Sequence, residues 1–227
     1  MPGRKIPLTT DSFYHVYNRG VAKMRVFANE TEYKRMTDLI NYYRFVNLPC
    51  KYSAFLDFPS KRQQTIMDGL YSKSEVLVYV HVFVLMPNHF HFLLEQKKEN
   101  GISKFMADVT NGLTKYINIK KDRVGPLFQG TFKSVLIETN EQFIHVSRYI
   151  HLNPYTDKLV NSIGELLLYP YSSLPNYCGK SHYDFVRTET VMSDFKDKNA
   201  YQTFVLNQRD YQRKIGLLKK LVLEKMS

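Results

Sequence analysis

Leu85-Met86-Pro87-Asn88-His89-Phe90-His91-Phe92-Leu93-Leu94 places two histidines two positions apart in an otherwise apolar run. Residues i and i+2 of a strand point to the same face, so His89 and His91 stand side by side while Phe90 points the other way. Imidazole nitrogen is a common ligand for divalent ions, which makes the pair a candidate metal site. Two core histidines bonded to backbone groups are the alternative. The preceding run, Val76 to Met86, is β-branched and too apolar for an edge strand. Pro87-Asn88 ends it and His89 to Gln96 follows at once, so the two runs are expected to form a hairpin in the middle of a sheet.

Phe13 to Tyr17 reads as a first strand, closed by the turn signal Asn18-Arg19-Gly20. Asn29 to Phe45 reads as a helix, with Glu30 and Glu32 in its first turn and an apolar stripe of Met36, Leu39, Ile40 and Tyr43. Residues 47–74 lack a clear period and read as an insertion with a short helix at Ser60 to Tyr71. Ile102 to Asn118 is helical in pattern and Thr131 to Ile137 is a further strand. Asn140 to Asn153 is a helix whose Thr139-Asn140-Glu141-Gln142 start fits a capping box and which Pro154 is expected to end. Beyond Tyr155 the chain is loop-rich, and Asn199 to Met226 looks helical and basic at its end. The order β, α, β, β, α, β plus an extra helical region predicts an α+β, ferredoxin-like antiparallel sheet with helices packed on one face and the histidine hairpin at its centre. We divide the chain into a catalytic-type domain over residues 1–155 and a C-terminal extension over 156–227.

At 227 residues the chain can bury a sizeable core. Its net charge of +11 suggests a polyanionic partner, nucleic acid first and an acidic membrane surface second. No run approaches the length of a transmembrane helix, and Met1 to Thr10 lacks the apolar core of a signal peptide, so a cytoplasmic location is expected. Cys50 and Cys178 are too few for a disulfide framework or a four-cysteine zinc site. Lys115, Lys120, Lys121 and Arg123 form a basic run against Asp122 and are candidates for phosphate contact, together with Lys133 and, in the tail, Arg213, Lys214, Lys219 and Lys220. Solvated helix faces explain scattered lysines equally well.

On a helical wheel, Phe143, Ser147 and Ile150 share the side assigned to the core, while His145, Tyr149 and Asn153 recur every four residues on another. Asparagine offers a carbonyl oxygen suited to a third ligand beside two imidazoles. Tyrosine offers an oxygen nucleophile for covalent catalysis. Two imidazoles, an amide oxygen and a tyrosine would make a compact phosphoryl-transfer site. An amphipathic helix with a surface tyrosine and an asparagine cap fits the same spacing. Tyr116 competes for the nucleophile's role, but Asn118, two residues on, lies on a different helical face.

Met86-Pro87-Asn88-His89-Phe90-His91 resembles the histidine motif of the IS200/IS605-like transposases, which are HUH endonucleases with a single catalytic tyrosine. Tyr149-Ile150-His151-Leu152-Asn153-Pro154, Gly125-Pro126-Leu127-Phe128-Gln129-Gly130-Thr131-Phe132-Lys133 and Tyr169-Pro170-Tyr171-Ser172-Ser173 resemble segments of the REP-associated tyrosine transposase branch. The resemblance spans roughly residues 10–180. It implies that His89, His91 and Asn153 bind a divalent metal, Mg²⁺ or Mn²⁺, and that Tyr149 is the nucleophile. It further implies nicking of single-stranded DNA beside short imperfect hairpins, strand transfer through a 5′-phosphotyrosine link, and action as a monomer or homodimer. Neither the 47–74 insertion nor the tail after 180 carries a motif of the family.

Two other functions compete. A non-catalytic ferredoxin-like nucleic-acid-binding module would stack bases on Tyr14, Phe90 and Phe92, and burial of those rings would remove it. A metal-dependent hydrolase using water would turn over without a covalent adduct.

Overall fold

The computed structural model describes residues 7–180 and 183–207. The tail cations Arg213, Lys214, Lys219 and Lys220, and the last part of the expected C-terminal helix, lie outside the described residues. Strand β1 is Phe13–Arg19, followed by helices α1 (Glu30–Tyr43), α2 (Tyr52–Leu56) and α3 (Ser60–Lys73). Strands β2 (Val78–Met86) and β3 (His89–Gln96) form the hairpin. Then come α4 (Gly101–Lys120), β4 (Lys133–Ile137) and α5 (Asn140–Thr156). Four short helices close the described chain: α6 (Ile163–Leu167), α7 (Leu174–Tyr177), α8 (Glu189–Met192) and α9 (Lys198–Leu206).

The sheet is antiparallel in the order β2-β3-β1-β4, the ferredoxin-like arrangement expected from the element order. β3 is an inner strand, but β2, like β4, is an outer strand. Its length of apolar residues has a different cause from the one expected: the C-terminal region covers its outer edge. Leu85 N–H donates to the Tyr171 carbonyl, Ser173 N–H to Phe83 and Arg187 N–H to Val80, so the edge offers few backbone groups to another chain.

Alternation along β1 sends Tyr14, Val16 and Asn18 to one face and Phe13, His15, Tyr17 and Arg19 to the other. The first face continues through Phe90, Phe92 and Leu94 of β3. It packs under α4, whose Phe105 meets Phe92, with α1 alongside α4. The second face carries Leu93, His91 and His89. Here the expectation that all helices share one face is corrected. α5 lies across the second face, with Phe143 against Phe13 at 4.8 Å and against His81 at 5.5 Å between ring centres. The physical reason is that β2 is apolar on both faces and β3 is buried on both, so each face of the hairpin needs a covering layer.

α1 starts where Asn29 accepts from Glu32 N–H, and α5 where Thr139 accepts from Gln142 N–H. The Gln142 side-chain oxygen accepts from Glu138 N–H at 2.9 Å, one residue before the N-cap Thr139 whose N–H the capping-box reading assigned to it. Pro154 does not end α5, which runs on to Thr156. Proline cannot donate to the Ile150 carbonyl one turn back. Asn153 Nδ2 makes up part of the loss, reaching Ile150 O at 3.5 Å and Tyr149 O at 2.9 Å.

α5 is buried on two sides. Its outer side meets α9, not solvent: His151 bonds Tyr201 Oη and Ser173 Oγ, each at 2.8 Å, and Tyr201 donates to Ser147. Ser147 is therefore buried as expected but against the C-terminal layer. Burial holds the His151 imidazole neutral, with its pKa lowered to about 3. Among the described residues no helix is long and apolar enough to cross a membrane.

Candidate active site

The strand register assembles the site row by row. His89 lies opposite Arg19, and His91 lies between Val84 of β2 and Tyr17 of β1. Tyr17 in turn pairs with Lys133 of β4. His15 sits one row along, diagonal to His91. All these side chains share the face that α5 crosses.

His89 and His91 have ring centres 5.1 Å apart and nearly perpendicular planes. Asn88 Nδ2 donates to the Lys23 carbonyl, which turns Asn88 Oδ1 toward His89. His89 Nδ1 donates to that oxygen at 2.6 Å, so the lone pair of the neutral ring is on Nε2, 4.0 Å from Asp157 Oδ2. His91 Nδ1 meets His15 Nε2 at 2.9 Å. Burial first, then the neighbouring His15, His89 and Arg19, hold the His91 pKa well below the usual imidazole range. A neutral imidazole is the form that ligates a cation.

Tyr149 projects from α5 onto this face. Its ring stands edge-on to His15 at 5.8 Å and to His91 at 5.7 Å. Burial is the main force raising its phenol pKa and Asp157 adds to it, while the Asn153 hydrogen bond and Arg19 pull the other way. Asn153, one turn on, is buried; its amide nitrogen donates to the Tyr149 and Ile150 carbonyls, and its oxygen is the atom able to coordinate a cation. Two imidazoles and an amide oxygen are a chemically suitable donor set for a divalent ion.

Other expected residues fall elsewhere. Tyr116 is on α4, stacked beneath the Arg35 guanidinium at 4.4 Å, in the layer on the opposite face of the sheet from Tyr149. The Thr31 hydrogen bond and Lys120 lower its pKa despite some burial. In the basic run, Lys115 is exposed, Lys120 bonds Thr31 and Lys121 pairs with the buried Glu32 at 2.7 Å. Arg123 braces the following loop through Asn118 and the Pro126 carbonyl. Among the described residues, Lys133 alone of the expected cations stands in the same row as His91. The stacking platform is absent, since Tyr14, Phe90 and Phe92 are buried under the α1–α4 layer.

Sequence reasoning missed His15, Tyr17, Arg19 and Asp157. The first three were signalled by polar groups at every second position of β1. Asp157 continues the four-residue spacing of Tyr149 and Asn153, a signal hidden by reading Pro154 as the helix end.

The IS200-like transposase family model matches residues 39–153, more than half of the chain and inclusive of both histidines, Tyr149 and Asn153. The chain belongs to the IS200-like transposase family. Its members are DNA-processing enzymes of transposition that generally use a divalent metal. A solved structure of a REP-associated tyrosine transposase bound to a REP hairpin shares the transposase fold, with a TM-score of 0.55 at 14% identity, covering 86% of this chain and 95% of that one. No curated protein matches this transposase.

Proposed function

We propose that this transposase nicks single-stranded DNA next to a hairpin element and transfers the strand through Tyr149. The phenol oxygen attacks the scissile phosphorus in line and the bond to the 3′ oxygen breaks. A 3′-hydroxyl strand is released, and the downstream strand stays on Tyr149 as a 5′-phosphotyrosine. Attack by another 3′-hydroxyl reverses the step and joins the strands. His89, His91 and Asn153 are the residues that would hold Mg²⁺ or Mn²⁺, which when bound would polarise the phosphate. Arg19 and Lys133 flank the same face and suit the phosphates on either side. Asn153 lies one turn from Tyr149, so one rigid helix positions both the nucleophile and a ligand.

The observation that carries this proposal is the seating of Tyr149 against His91 from across the sheet. Its phenol needs a neighbour to help ionisation, because burial opposes it. The hairpin partner rests on the fold neighbour, which was solved with a REP hairpin. The test is incubation of the protein with pooled single-stranded hairpin oligonucleotides and Mn²⁺, then a denaturing gel. A covalent protein–DNA band is expected. Cleaved DNA without an adduct would favour a water-using hydrolase, and binding without cleavage a non-catalytic module.

A further inference from the structure

We propose that His15 is a positioning residue that fixes the tautomer of His91 and so decides which of its nitrogens can ligate. The proposal rests on the metal-binding role given above to His91. The two ring nitrogens of a neutral histidine are exclusive: one carries the proton and the other the lone pair. His91 Nδ1 is 2.9 Å from His15 Nε2, and the rings lie within 22° of parallel at 5.1 Å. With His91 donating from Nδ1 to His15, the lone pair falls on Nε2. With the reverse arrangement, Nε2 is protonated and cannot coordinate.

The neighbouring histidine indicates which arrangement the site is built for. His89 has its Nδ1 held by an amide oxygen, an acceptor only, which forces the proton onto Nδ1 and the lone pair onto Nε2. Donation from His91 Nδ1 to His15 gives both strand histidines the same tautomer. The partner of each Nδ1 is supplied by a different element, the hairpin turn for His89 and β1 for His91. Groups that orient a ligating imidazole in this way typically change metal affinity by about 10–100-fold when removed. His15 also touches the Tyr149 ring, so the same side chain abuts ligand and nucleophile.

Two measurements on the full-length protein test this. In the metal-free protein, long-range ¹H–¹⁵N correlation of the histidine rings reports the tautomer of His91. Calorimetric titration with Mn²⁺ reports affinity without reference to DNA cleavage. The wild type is expected to show Nδ1–H at His91. His15→Leu is expected to lose that preference and to bind Mn²⁺ roughly 10–100-fold more weakly. His15→Gln, whose amide oxygen can accept where His15 Nε2 does, is expected to keep both near wild type. Thermal melts of both variants separate this outcome from unfolding. An Nε2–H tautomer in the wild type, or unchanged Mn²⁺ affinity in folded His15→Leu, overturns the role of His15 alone. No Mn²⁺ binding by the wild type overturns the metal site itself.

Discussion

Tyr149→Phe separates chemistry from packing more cleanly than any other change at this site. The ring stays, with its edge contacts to His15 and His91. Only the hydroxyl goes, together with its hydrogen bond to Asn153. One such bond contributes about 0.5–1.5 kcal/mol. In a chain of this size each kcal/mol moves the melting temperature by about 2–4 °C, so the variant should melt no more than about 6 °C below wild type. The covalent adduct, in contrast, should vanish, because no carbon of phenylalanine can attack phosphorus. The assay uses hairpin oligonucleotides labelled at the 3′ end, since the downstream strand is the one retained on the protein. Tyr116→Phe is the control: its phenol lies in the other layer, beside Arg35, and the adduct should persist. An adduct formed by folded Tyr149→Phe would refute the assignment, and its loss in Tyr116→Phe as well would move the nucleophile to α4.

His89→Ala or His91→Ala should abolish cleavage while most DNA binding remains, as read by gel shift, because binding draws chiefly on phosphate contacts; full cleavage by the double variant would remove the metal site. Arg19→Ala and Lys133→Ala should each lower the salt slope of single-strand binding by roughly 0.7. Lys120→Ala/Lys121→Ala should lower it less, since those ammonium groups already bond Thr31 and Glu32; the opposite ranking would return phosphate contact to the α4 run. Acid should destabilise the fold through His151: its folded pKa of about 3 lies below the ordinary 6.5, so the unfolded chain takes up the proton first. Its contribution is complete above about pH 6.5 and is lost as pH falls toward 3, at up to about 1.4 kcal/mol per pH unit. Urea titrations of His151→Gln across that range should show a shallower decline than wild type, and an identical decline would mean His151 is not held neutral.

The local pattern of the chain determined its elements and the chemistry of its site. Alternation placed His89 and His91 on one face, the four-residue spacing placed Tyr149 with Asn153, and the element order fixed the antiparallel sheet. These are short-range properties, set by strand and helix periods alone. What periodicity does not encode is which face each layer covers. β2 is apolar on both sides, so the sequence offered no means of choosing the side for α5, and only the packed structure shows α4 and α5 on opposite faces. The same limit applied to β2, whose apolar run reads alike whether its edge is covered by a strand or by the segments around Tyr171, Ser173 and Arg187. Register is the other tertiary decision. It brought His15, Arg19 and Lys133 to the histidines from strands far away in the chain, and it left Tyr116 and the lysines of α4 behind the sheet. A cross-strand pairing depends on the partner as much as on the residue, which is why the neighbours of His91 became visible only once the strands were aligned.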